Sequence, residues 1–210
     1  MTQILLVDDH AIVRRGMMQI LSESLPGASF GEAGSAAEAL DVLAKKPWDL
    51  ALIDLNIPGR DGLSLLDEIG SRYPKLPTLV VSAYSEEEFA VRCLRLGAGG
   101  YLTKASAADE LAVAVKKVLA GGKYVTAALA EKLAAIVGGD LAQDSHEALS
   151  NRELQVLRLV AAGHSQKEIA AELNLSEKTV GSYRARIAEK LQVSTNVELT
   201  RYALRHKLVE

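Results

Sequence analysis

Asp8 and Asp9 directly follow the apolar run Ile4-Leu5-Leu6-Val7, and Asp54 directly follows Leu50-Ala51-Leu52-Ile53. Short aliphatic runs bounded by charge read as strands buried on both faces. Two further runs end on polar groups: Leu79-Val80-Val81 on Ser82, and Gly100-Tyr101-Leu102-Thr103 on Lys104. In an open parallel α/β sheet, ligands bind just outside the carboxyl ends of the strands. Carboxylates gathered there suit a cation or a phosphoryl group, with the hydroxyl as donor and the lysine as counter-charge. A doubly wound domain with incidentally charged strand ends explains any one of these positions alone. It does not explain all of them in order.

The elements that must hold these residues alternate strand and helix, the pattern of βαβ units. After the first strand, residues 11–24 carry Ile12, Val13, Met17, Ile20 and Leu21 on one helical face. A short strand at 29–33 leads to Ser35-Ala36-Ala37-Glu38, a capping box at a helix start. The loop Asn56-Ile57-Pro58-Gly59-Arg60-Asp61-Gly62 precedes a third helix, a fourth begins near Glu86, and a fifth spans about 107–120. Right-handed crossovers then imply a flavodoxin-like five-stranded parallel sheet over residues 1–120. Residues 121–147 read as a connector: an apolar stretch from Leu129 to Val137 predicts a short helix, and the Gly/polar stretch 138–147 a flexible linker.

From residue 148 onward strand patterns vanish and helix starts crowd together. Ser150-Asn151-Arg152-Glu153, Ser165-Gln166-Lys167-Glu168 and Thr195-Asn196-Val197-Glu198 match the capping box, and Ser176 caps a further helix. Gly163 and Asn174 stand where left-handed residues end helices. The expectation is an all-α four-helix domain over 148–210. Within it, Lys167 to Leu191 form two helices joined by Asn174-Leu175-Ser176, the helix-turn-helix pattern whose second helix enters the DNA major groove. Val180, Ile187 and Leu191 share its inward face. Lys178, Gly181, Ser182 and Ala185 collect opposite, bordered by Thr179 and Arg186. One cation among small residues suits close approach to a groove wall, and Gly181 is expected there for that reason. A helical protein-interaction module is the competing reading.

Composition narrows the class. A hydrophobic content of 49% supplies two cores and excludes a disordered chain. No run approaches the ~20 apolar residues of a membrane span, and MTQILLVDD lacks a signal-peptide pattern, so a cytoplasmic protein is expected. The single cysteine, Cys93, fits a reducing compartment as a small buried helix residue, and the four histidines show no zinc spacing. Residues 1–120 carry 12 Lys/Arg against 16 Asp/Glu, whereas residues 150–210 carry 10 against 7. A positive second half in a chain of net charge −3 is the asymmetry expected where one half meets a polyanion.

Asp8-Asp9, Asp54, Ser82, Tyr101 and Lys104 together resemble the receiver domain of two-component response regulators. Haloacid-dehalogenase-type phosphatases also use an aspartyl phosphate, but they expect Asp-x-Asp after the first strand, and here the pair is adjacent. Residues 149–208 resemble the LuxR-type domain of NarL/FixJ response regulators. Leu149-Ser150-Asn151-Arg152-Glu153, Gly163-His164-Ser165, Lys167-Glu168-Ile169-Ala170 and Ser176-Glu177-Lys178-Thr179-Val180 carry that match. The resemblance implies a DNA-binding transcription regulator, a signalling receiver and not a conventional enzyme. It implies that Asp54 accepts a phosphoryl group from a sensor histidine kinase, with Mg²⁺ held by Asp8, Asp9, Asp54 and the Asn56 carbonyl. It gives Lys104 and Ser82 contacts to the phosphoryl group and makes Tyr101 the residue that turns inward in response. It further implies double-stranded DNA as ligand, a homodimer, and RNA polymerase as a candidate partner. Three residues depart from the usual pattern: Gly181 in place of lysine, Gln166 in place of asparagine, and Ala105 after Lys104 in place of an acid or proline. Base contacts therefore do not transfer from other members. A receiver serving only for dimerisation is the rival function, and the intact acids and lysine favour the phosphorylated switch.

Overall fold

Four strands are buried along nearly their whole length: β1 (Gln3–Val7), β3 (Leu50–Ile53), β4 (Thr78–Ser82) and β5 (Tyr101–Thr103). Only β2 (Ser29–Ala33), at the sheet edge, is mostly half-exposed. In this computed structural model residues 2–58, 62–138, 149–173, 175–206 and 208–209 are described. Gly59, Arg60, Asp61, the expected linker residues 139–147 and Asn174, expected to end a helix, lie outside them.

The strands form one parallel sheet in the order β2-β1-β3-β4-β5. This is the flavodoxin-like order, reversing direction between β1 and β3. The register pairs Val7 with Ile53, so the residues that follow, Asp8 and Asp54, emerge side by side. The Asp54 amide donates to the Val7 carbonyl at 2.8 Å and extends the ladder to the acid itself. On one face α1 (Ala11–Ser24) packs against α5 (Ala107–Leu119). Ile4, Leu6, Leu52 and Val81 meet Met17, Leu21, Leu111 and Val115 there. The remaining receiver helices are α2 (Ala36–Leu43), α3 (Gly62–Arg72) and α4 (Glu86–Arg95).

The Ser35 cap differs from the expected reciprocal box. Ser35 Oγ accepts from the Glu38 amide, but the Glu38 carboxylate takes the Gly34 amide at 2.8 Å, one residue earlier. The connector helix α6 (Ala127–Gly138) packs on α4. Thr126 Oγ1 donates to Glu86 Oε2 at 2.6 Å, Lys132 Nζ donates to the Glu87 carbonyl, and Leu129 is buried. Residues 1–141 form one compact unit that includes α6, and residues 142–210 form a second.

The second unit holds α7 (Asn151–Ala161), α8 (Gln166–Glu172), α9 (Glu177–Leu191) and α10 (Asn196–Arg205). Reciprocal capping boxes open α7, α8 and α10, and Ser176 Oγ accepts from the Thr179 amide at the start of α9. Each box satisfies amides that a helix start leaves unpaired. Gly163 ends α7 with φ 89°. Leu154, Leu157, Ile169, Val180, Ile187, Leu191 and Leu199 are buried in this unit's core. Glu153 Oε2 also meets Lys190 Nζ at 2.7 Å, tying α7 to α9.

Candidate functional site

At the carboxyl end of the sheet, Asp8 and Asp54 are buried at adjacent strand ends. Lys104, directly after β5, places Nζ 2.8 Å from Asp54 Oδ2 and 2.7 Å from Asp8 Oδ2. Its backbone is fixed by the Lys104 amide donating to the Ser82 carbonyl at 2.7 Å. One ammonium thus sits between two buried carboxylates. Burial alone would lower the Lys104 pKa, but the Asp54 and Asp8 carboxylates outweigh burial and hold the ammonium above its ordinary 10.5.

Ser82 is buried at the end of β4, and its Oγ lies 3.4 Å from the Tyr84 amide. Tyr101, in β5, is fully buried and donates its hydroxyl to the Tyr84 carbonyl at 2.9 Å. The loop after β4 is therefore linked to both side chains, and Tyr101 is already turned inward.

The acid cluster fits a hard divalent cation. Among the described residues, Asp8 Oδ2 and Asp54 Oδ1 are buried yet accept no hydrogen bond; the contact of Asp8 Oδ2 with Lys104 is close but poorly directed. Buried acceptors lacking a donor are costly unless a cation or water serves them. Asp9 is more exposed, with Oδ1 2.6 Å from His10 Nδ1. Donor atoms of Asp8, Asp9 and His10 lie within 4.8 Å of one another. Asn56 is half-buried in the loop two residues beyond Asp54.

Three residues that sequence reasoning passed over shape this site. The His10 amide donates to Asp8 Oδ1 at 2.8 Å and His10 is the N-cap of α1, so the Asp8 carboxylate is held against a helix start. Adjacency to the acid pair was the available signal. Arg14 Nη1 donates to the Asp8 carbonyl at 2.6 Å while its Nε meets Glu32 Oε2 at 2.7 Å, a meeting that no spacing announces. Gly62 opens α3 so close to β3 that a Cβ there would stand 2.2 Å from the Asp54 carbonyl oxygen. Only glycine lets α3 start against the strand end that carries Asp54.

In the second unit, Lys178, Ser182, Ala185 and Arg186 are exposed along α9, and Thr179 is half-buried with its hydroxyl 2.7 Å from Ser176 Oγ. Val180, Ile187 and Leu191 are buried opposite. Gly181 is half-buried on the flank, and its bare side looks toward Gln166 of α8. Arg184, on the same flank, is tied to Gln166 and Asn196.

Comparison with known proteins adds independent findings. Residues 4–116 match the response regulator receiver domain, and residues 147–203 match the luxR family of bacterial regulatory proteins. The chain is 33% identical to response regulator UvrY of Escherichia coli, over 99% of this chain and 96% of that protein. It is 34% identical to response regulator GacA of Pseudomonas aeruginosa, over 100% of this chain and 99% of that protein. RcsB from Salmonella enterica serovar Typhimurium, solved bound to promoter DNA with the phosphomimetic BeF3⁻, matches with a TM-score of 0.60 at 29% identity. That match covers 96% of this chain and 97% of that one.

Proposed function

Because the chain belongs to the NarL/FixJ family of two-component response regulators, a receiver followed by a LuxR-type DNA-binding domain, we propose that Asp54 is its phosphoryl acceptor and that phosphorylation controls DNA binding by α9. The observation that carries this reading is the pair of buried carboxylates at adjacent strand ends, both against Lys104. Lys104 holds Asp54 Oδ2, which leaves Oδ1 as the nucleophile. That oxygen attacks the phosphorus of a sensor kinase's phosphohistidine; the P–N bond breaks, the P–O bond forms, and the imidazole leaves. Asp8, Asp9, Asp54 and the Asn56 carbonyl would hold Mg²⁺, which would supply neutralising charge for the phosphoryl oxygens. Lys104 and Ser82 bind the oxygens of the phosphorylated side chain, one as counter-charge and the other as donor. Any shift of Ser82 toward them draws on the Tyr84 main chain, to which Tyr101 is hydrogen-bonded. The receiver surface around β5 and α4 thereby acquires two states.

Residues 1–120 act as the receiver, 121–147 as the connector and 148–210 as the DNA-binding domain, all in the cytoplasm. Lys178, Thr179, Ser182, Ala185 and Arg186 form the edge of α9 that approaches double-stranded DNA, with Gly181 on its flank toward α8. A homodimer reads paired half-sites, as supported by a second RcsB structure, in which two dimers are bound to two parallel DNAs. RNA polymerase is the candidate downstream partner. Incubation with acetyl phosphate and Mg²⁺, followed by intact-mass measurement, tests the receiver chemistry. The parent gains one phosphoryl group and Asp54→Asn gains none; full phosphorylation of Asp54→Asn would overturn the assignment.

A further inference from the structure

Gly181 lies in the second turn of α9, where glycine destabilises a helix relative to alanine and therefore needs a reason. Among the described residues, an ideal Cβ at this position would stand 3.2 Å from Gln166 Nε2 and otherwise meet only Gln166 Cδ, at 4.0 Å. The Gln166 amide is not idle there. Its Nε2 donates to the Glu177 carbonyl at 2.7 Å, anchoring the first residue of α8 to the first residue of α9. Its Oε1 accepts from Arg184 Nη1 at 3.3 Å, and Arg184 Nη2 in turn donates to Asn196 Oδ1 at the start of α10. Positions 177, 181, 184 and 188 form one stripe along α9 by their spacing of four, three and four. Gly181, Arg184 and Ala188 of that stripe line a cleft of about 280 Å³ together with Gln166, Thr195 and Asn196.

We propose that Gln166 is a positioning residue for α9 and that Gly181 is glycine in order to seat it, so that this pair sets sequence specificity without touching a base. The proposal rests on the reading that α9 enters the major groove. An alanine methyl at 181 forces the Gln166 amide outward by a few tenths of an ångström. The amide is the end of a flexible side chain and can yield, but yielding lengthens its bond to Glu177. That bond and the Arg184 link fix how α9 is rotated against α8 and α10. A small rotation moves Ser182 and Ala185 relative to base edges, where contacts are directional. Contacts of Lys178 and Arg186 with phosphates tolerate it, because phosphate contacts position a protein without reading sequence.

The test uses the full chain, phosphorylated with acetyl phosphate and Mg²⁺. The parent first selects its preferred duplex from a random-sequence library. Affinity for that duplex and for an unrelated duplex is then measured for Gly181→Ala, Gln166→Ala and the double variant, with melting of each. Gly181→Ala should lower affinity for the selected duplex roughly tenfold, equivalent to about 1.4 kcal/mol, and leave the unrelated duplex and its salt slope unchanged. In the Gln166→Ala background the same substitution should cost nothing further, and the helix-stabilising gain of alanine, offset in the parent, should emerge as a higher melting temperature. Equal losses on both duplexes would reduce the pair to a merely structural role and overturn the proposal, as would effects of Gly181→Ala that are the same in both backgrounds. A parent that enriches no sequence removes the DNA-binding reading and the proposal with it, whereas a parent that enriches a site but shows additive substitutions removes the proposal alone.

Discussion

Lys104→Met and Asp54→Asn remove opposite ends of one ion pair, and they should move receiver stability in opposite directions. The Asp8 and Asp54 side chains are each 1% exposed, and both lie against Lys104, whose side chain is 21% exposed. Without Lys104, two buried carboxylates lose their common cation. Breaking a buried pair costs about 3–5 kcal/mol, and the partial exposure of Lys104 places the loss near the lower end, about 3 kcal/mol. Asparagine at 54 instead keeps the shape and leaves Lys104 its contact with Asp8, while one of two like charges disappears and Asp54 Oδ1 no longer sits buried as a charged acceptor without a donor. Relief of that kind stabilises by about 1–2 kcal/mol. At about 4 °C per kcal/mol for a unit of this size, the receiver melting transition should fall by about 12 °C in Lys104→Met and rise by about 4–8 °C in Asp54→Asn. Scanning calorimetry in a chelating buffer resolves the receiver transition from that of the helical unit. Added Mg²⁺ should then stabilise the parent by mass action and narrow its gap to Asp54→Asn. The sign with pH also follows. The folded Lys104 pKa lies above 10.5, so its stabilisation is complete below 10.5 and is lost as pH rises through the folded value. The deficit of Lys104→Met should therefore hold at neutral pH and shrink in strong alkali. A loss of stability in both variants would instead mean that the two carboxylates are fully compensated by Lys104 alone, with no excess negative charge at the site.

Gly62→Ala should destabilise the receiver by about 1–3 kcal/mol and slow phosphoryl uptake, since the added Cβ meets the Asp54 carbonyl at 2.2 Å; thermal melting and mass measurement check the two effects together. Burial alone would raise the Glu153 pKa, but Lys190 and the Ser150 amide outweigh burial and hold it below its ordinary 4.5. Its stabilisation is complete above pH 4.5 and is lost as pH falls through the folded value. Glu153→Gln should accordingly cost the helical unit about 1–2 kcal/mol at neutral pH and flatten its acid unfolding, read by far-UV circular dichroism. Lys178→Ala should weaken binding to any duplex and reduce the slope of log K against log salt by about one; an unchanged slope would place Lys178 off the phosphates.

Sequence alone determined the strand runs, the helix starts and the order of the acids, hydroxyl and lysine, because each is a local preference. A serine or threonine three residues before a glutamate caps a helix wherever the chain later goes, as Ser150, Ser165 and Thr195 do. The tertiary structure decided what those residues meet. Only the Val7–Ile53 register sets Asp8 beside Asp54, and only the turn after β5 brings Lys104 between them, 50 positions from Asp54. Packing likewise decided that the helix expected in the connector lies against α4. Gly181 marks the boundary most sharply. Helical periodicity put it on the face opposite Val180, Ile187 and Leu191, yet its neighbour across the turn is Gln166. An angle around one helix axis cannot say which side of that helix a second helix occupies; that depends on how two buried faces pack, and packing is a property of the pair.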